Sequence, residues 1–168
     1  MNQLFREEIF HDIMDDFQKK TQKVMFDSIN PSISAIFGGM GGFDGEILTE
    51  INFMHQYDER EEEILQIFST LVDNIEESMF EEIEGRLNEL NQKCMFGNFM
   101  LYRKQGQIAY RYAFPMKVDD SEYSMQLFHL IWNELYHTMN FFFAYLMVMS
   151  TESGFISLEQ YIDSIRGK

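Results

Sequence analysis

The segment that most restricts the fold is Phe96 to Met116, FGNFMLYRKQGQIAYRYAFPM. Its second half alternates, with Ile108, Tyr110, Tyr112 and Phe114 on one side and Gln107, Ala109, Arg111 and Ala113 on the other. A period of two marks a half-buried antiparallel strand, and Lys104-Gln105-Gly106 supplies the turn before it. The segment therefore predicts a hairpin, closed by Pro115. An acidic helical pattern runs up to it and a long aromatic one runs away from it, so both neighbours have a sheet face to cover.

Three helices follow from spacing. In residues 2–19, Leu4, Phe5, Ile9, Ile13, Met14 and Phe17 recur every three or four positions among acids, and Lys19 and Lys20 suit the negative end of the helix dipole. In residues 74–94, Ile75, Met79, Phe80, Ile83, Leu87 and Leu90 form the apolar stripe and glutamates line the rest. There Asn74 with Glu77 resembles a cap and its reciprocal acid. The third helix is predicted over 121–150, capped by Asp119, Asp120 or Ser121. Its first half is amphipathic, whereas Phe141 to Met149, FFFAYLMVM, is apolar on every side. A sheet covers only one side, so either the N-terminal helix or another subunit must cover the rest. A short capped helix begins at Ser157-Leu158-Glu159-Gln160 and runs to Ile165.

Between the first two helices lie residues 22–72. A short extended piece is expected at Lys23 to Ile29, stopped by Asn30-Pro31. Ser32 to Gly45 carries glycines at 38, 39, 41, 42 and 45, but neither the Lys nor the following helix of a phosphate-binding loop. It reads as a flexible or tightly turning connection. Glu46 to Met54 alternates as a strand, and Gln56 to Glu63 is a charged turn. Ile64 to Val72, almost wholly apolar, reads as a central strand buried on both faces, although its period alone also allows a helix; as a strand it forms a hairpin with the one before it. Strands grouped between helices and joined by short turns give one α+β domain over residues 1–168, an antiparallel sheet of about five strands with helices on one face.

Composition narrows the function. A net charge of −15 argues against nucleic acid, which needs clustered Lys and Arg, and against anionic membranes. It suits an acidic solvated surface or a basic protein partner. Seventeen Phe and thirteen Met make the core aromatic and soft. The single Cys94 excludes an internal disulfide and a thiolate zinc site, so a reducing compartment is expected. MNQLFREEIFHDIMDD has acids where a signal peptide would be basic and apolar, and Phe141 to Met149 falls well short of the ~20 apolar residues that span a bilayer. The expectation is a soluble cytoplasmic protein.

Catalytic constellations are sparse. Glu8/His11 and Glu134/His137 are Glu-x-x-His pairs, half of a di-iron carboxylate site, but the middle of the chain is strand-like and supplies no further helices for it. His129 and His137 share nearly one helix face and would need His11 or another ligand to hold a metal. Cys94 ends a helix rather than beginning one, where its pKa would be lowered, and no Gly-x-Ser-x-Gly elbow is present. No catalytic residue, cofactor or metal is predicted.

Ile64 to Val72, the helix ending Leu87-Asn88-Glu89-Leu90-Asn91, Gly97-Asn98-Phe99, Tyr110-Arg111-Tyr112 with Phe114-Pro115, and the Tyr161-Ile162-Asp163 close are similar to the YbjN-like proteins. Their domain looks like that of type III secretion chaperones. The resemblance covers about residues 64–165 and implies an α-β-β-β-α-β-β-α order, frequent homodimers and binding rather than catalysis. The leading expectation is a protein-binding module, chaperone-like or regulatory, that pairs with itself and an unknown protein through Trp132, Phe141, Phe142, Phe143, Tyr145, Met147 and Met149. Alternatives are an acidic inhibitor or immunity-type protein for a basic partner, and a metal-dependent enzyme using the Glu-x-x-His pairs.

Overall fold

The computed structural model describes residues 2–42, 44–54, 62–151 and 156–167. Helix α1 (Asn2–Gln18) leads into four strands, β1 (Val24–Asp27), β2 (Ser32–Met40), β3 (Gly45–Phe53) and β4 (Glu62–Val72). A 3-10 turn (Glu77–Met79) then opens α2 (Phe80–Asn91). Hairpin β5 (Asn98–Tyr102) and β6 (Gln107–Lys117), the long α3 (Ser121–Met149) and the short α4 (Leu158–Arg166) complete the chain. The fold is α+β, and its six strands form one antiparallel sheet in the order β1-β2-β3-β4-β6-β5.

Four strands precede α2, where the resemblance implies three. The additional pairing comes from the glycine-rich stretch, which is no loose connection: Ser32 to Met40 pairs with β1 on one side and β3 on the other. Of its glycines, Gly41 and Gly42, both at positive φ, lie in the turn. The charged turn expected at Gln56 to Glu63 lies outside the described residues up to position 61, and Glu62 and Glu63 belong to β4.

Each strand sends alternate side chains to opposite faces. One face carries the rows Ile33–Ile51–Ile67–Tyr112 and Ala35–Thr49–Ser69–Tyr110–Phe99, all buried except half-buried Tyr112. Three helices cover it. α1 lays Phe10 on Phe53 and Phe17 on Phe37, α3 lays Trp132 on Phe37 and Phe142 near Phe99, and α2 lies against β5. β4 is central as expected, but only its Leu65, Ile67, Ser69 and Leu71 side is buried; Ile64, Gln66, Phe68 and Thr70 are half-exposed because no described helix reaches the other face.

The structure departs from the local sequence signals in three places. The Ile75 N–H donates to the Gly106 carbonyl at 2.9 Å, which ties residues after β4 to the hairpin turn. Asn74 therefore takes a positive φ instead of capping a helix, and α2 starts later, at Phe80. Pro115 does not close the hairpin, since β6 runs to Lys117 with Pro115 opposite Ile64. Lys19 and Lys20 lie just past the end of α1, where Lys20 pairs back to Asp16 at 2.9 Å. The caps of the two last helices stand where the sequence puts them. Asp120 accepts from the Tyr123 N–H, and Ser157 with Gln160 forms a capping box.

Candidate interaction surfaces

Of the side chains predicted to meet a partner, Trp132, Phe142, Phe143, Tyr145 and Met149 are buried within the single chain, and Phe141 and Met147 are exposed. The apolar end of α3 is therefore mostly core. Within the chain its cover does not come from α1, which packs on the first half through Phe17 and Trp132. On one side the β2–β3 turn docks: the Gly41 N–H donates to Asn140 Oδ1 at 2.8 Å, and a Cβ on Gly45 would run into the Phe143 ring. On the other side sits α4, whose Tyr161 ring lies 5.4 Å from that of Tyr145 and whose hydroxyl donates to the Phe141 carbonyl at 2.6 Å. Arg86 of α2 donates to the Ile156 carbonyl at 3.1 Å and so holds the start of α4.

The second sheet face has no such cover among the described residues. Across five strands it aligns Ile36, Leu48, Thr70, Ala109 and Met100, and beside this row Ser34, Glu50, Phe68, Arg111 and Asn98. Leu48 and Met100 are exposed, Ile36 and Phe68 half-exposed, and the Tyr102 ring lies edge-on to Phe68 at 5.2 Å. Strand alternation places Lys23, Arg111 and Lys117 here against Asp27, Glu46, Glu50 and Glu62. The described residues of this face are thus within one charge of neutral, in a chain of net −15. Lys23 and Glu46 are paired at 2.5 Å, and Arg111 Nε donates to Gln66 Oε1 at 2.8 Å. Sequence periodicity had named both sides of β3 and β6, but not which side the helices would leave open.

The two sheet edges differ. On β5 the Asn91 side chain takes the place of a further strand, with Nδ2 donating to the Phe99 carbonyl at 2.9 Å and Oδ1 accepting from the Phe99 N–H at 2.7 Å. An edge blocked in this way offers no template there to another chain. β1, the other edge strand, is only four residues long.

The groups considered for chemistry are scattered. Glu8 accepts from the Ser121 hydroxyl at 2.9 Å, and exposed His11 faces Asp15 at 3.7 Å. His129 Nδ1 lies 3.5 Å from Asp16 Oδ2. Among the described residues no three His, Cys, Asp or Glu side chains gather as metal ligands. Cys94 is half-buried with its thiol donating to the Leu90 carbonyl at 3.6 Å, and burial pushes its pKa up to about 11. A thiol in that state is a poor nucleophile at neutral pH. The neighbouring Tyr110 phenol donates to the Phe96 carbonyl and is likewise pushed up by burial. No described helix is long and apolar enough to cross a membrane.

Comparison with protein-family models, curated proteins and solved structures finds no match.

Proposed function

We propose that this protein is a non-enzymatic protein-binding module, chaperone-like or regulatory, that works as a homodimer through the open face of its sheet. The observation that carries the reading is the open-face row Ile36–Leu48–Thr70–Met100, in which Leu48 and Met100 are exposed, with half-exposed Phe68 beside it; Ala109, in the same row, is buried. Antiparallel sheets commonly leave one face to water, but that face is then polar. Here it is apolar in its middle and close to neutral, so two chains of net −15 can meet on it without strong like-charge repulsion. A second copy presents the same patch and forms an isologous contact. The resemblance to YbjN-like proteins, frequent homodimers, supports this, and the lone thiol suits a cytoplasmic setting.

Light scattering at low and high salt tests it. The expected result is a dimer whose mass does not change with salt, because an apolar contact is not screened. Leu48→Arg should give a folded monomer. A wild-type monomer under all conditions would overturn the dimer and favour the acidic-inhibitor reading. That second reading rests on the exposed Glu76, Glu77, Glu81 and Glu89 around α2. It predicts a basic partner that is released as salt rises.

A further inference from the structure

We propose that two copies of this chain stack β4 on β4, and that Glu50 and Arg111 are the residues that select a second copy in this arrangement. The inference rests on the dimer reading above and adds to it the axis and the pair that decides it. β4 is the middle one of the five strands whose rows cross the open face, with β3 and β2 on one side and β6 and β5 on the other. In the row Ser34–Glu50–Phe68–Arg111–Asn98, Glu50 and Arg111 stand one strand from Phe68 in opposite directions. Neighbouring strands lie ~4.8 Å apart, so a carboxylate and a guanidinium flank Phe68 symmetrically.

Neither charge is spent within the chain. Glu50 is exposed, and among the described residues neither it nor half-exposed Arg111 has an ion-pair partner. Arg111 is held in place by a neutral chain of amides instead. Its Nε donates to Gln66 Oε1 at 2.8 Å, and Gln66 Nε2 donates to Asn52 Oδ1 at 3.4 Å. The two terminal guanidinium nitrogens have no acceptor among the described residues. A guanidinium steadied at Nε, with its other donors open, is matched to a carboxylate arriving from above the sheet.

The two-fold axis between facing sheets lies in the plane of contact, and its direction decides what meets what. An axis along β4 sets each copy's β3 over the other's β6, and β2 over β5. Glu50 then faces the second copy's Arg111, twice by symmetry, and Ser34 faces Asn98. In the next row exposed Leu48 lies over the second copy's Ala109, a small, wholly buried residue that leaves it room, and Ile36 lies over Met100. An axis across the strands along the Phe68 row sets Glu50 on Glu50 and Arg111 on Arg111. An axis along β3 or β6 likewise stacks one of these charges on itself. Of these arrangements the β4 axis alone opposes charge to counter-charge and apolar to apolar. Face-packed sheets stand ~10 Å apart, a gap that Arg and Glu side chains span together. The apolar row carries the affinity and the charge pairs fix the orientation, so the dimer keeps its mass in salt.

Charge exchange tests the pairing, read as molar mass by light scattering over a dilution series. Glu50→Arg and Arg111→Glu each bring like charges together at both symmetric positions, so each should weaken the dimer at least about tenfold. Mixed in equal amounts, the two variants should form a dimer of one copy of each, because every charge then meets its opposite. The chain carrying both changes should pair with itself as wild type does. Fluorescence of Trp132, buried on the covered face, reports that each variant is folded, and Glu50→Arg, at an exposed position, decides the case if Arg111→Glu does not fold. Folded single variants that dimerise as wild type does would overturn the pairing and leave the dimer standing. So would two folded variants that stay monomeric when mixed. A wild-type monomer under all conditions would overturn the dimer reading itself, and this inference with it.

Discussion

The two faces of the sheet are built from the same strands and differ in what lies on them. Ile51 and Leu48, three residues apart on β3, show the difference. Ile51 is wholly buried under helices, while Leu48 is exposed on the open side. Apolar content alone does not separate the faces, since the open one also carries Ile36, Phe68 and Met100. What separates them is helix placement, and the face left bare keeps an apolar row that ordinary solvation does not require. The lesson is that a strand's alternation says two faces exist, and a third element decides which one becomes core.

The largest test of this contrast is truncation on β3. Ile51→Ala should cost about 2–5 kcal/mol in urea unfolding. Leu48→Ala should cost under about 1 kcal/mol in the single chain. A Leu48→Ala loss that matches Ile51→Ala and grows with protein concentration would break the contrast, because a second copy would then be covering the open face.

A smaller effect is expected inside the covered face, where the Thr49 and Ser69 hydroxyls are fully buried and bonded to each other at 2.8 Å. Thr49→Val leaves the Ser69 hydroxyl without this partner and should cost about 1–3 kcal/mol. Adding Ser69→Ala should recover part of that loss, giving a coupling of about 1 kcal/mol in a double-mutant cycle. Additive losses would mean that the two hydroxyls do not depend on one another.

At the β5 edge, Asn91→Ala exposes the Phe99 N–H and carbonyl and should cost about 1–2 kcal/mol in urea unfolding. It should also raise the aggregation rate measured by light scattering, as an open edge recruits other chains. Unchanged stability and solubility would show that α2 covers the edge without Asn91.

The smallest effect concerns Cys94. Its folded thiol loses its proton near pH 11 and its unfolded thiol near pH 9. Below pH 9 both states keep the proton and this contribution is whole; between pH 9 and 11 only the unfolded state ionises, so stability falls as pH rises. Tyr110, also raised by burial, acts in the same direction at higher pH. Disulfide-exchange labelling of Cys94 at pH 8 should accordingly be slow in the native protein and fast in urea. Fast native labelling would contradict the burial of the thiol.

Much of this fold was legible in the residues. The hairpin around Lys104-Gln105-Gly106, the stripes of α1 and α2, the long α3 and the caps Asp120 and Ser157 all follow from interactions within a few residues. The neutral, apolar open face was not legible, because Leu48, Thr70, Ala109 and Met100 become neighbours only through strand register. Nor was the cleft between the end of α1 and the first half of α3, which draws Lys20, Gly38 and Trp132 from three separate parts of the chain.

The sequence by itself determined periods, turns and caps, since these depend on the backbone geometry of adjacent residues. Tertiary structure alone decided that Ser32 to Met40 is a paired strand, that Gly41 and Gly45 exist to let a turn touch α3, and that Phe142, Phe143, Tyr145 and Met149 are core. The physical reason is that burial is a property of what arrives from elsewhere in the chain. A side chain's own chemistry fixes how much it gains from being covered, and only the fold fixes what covers it.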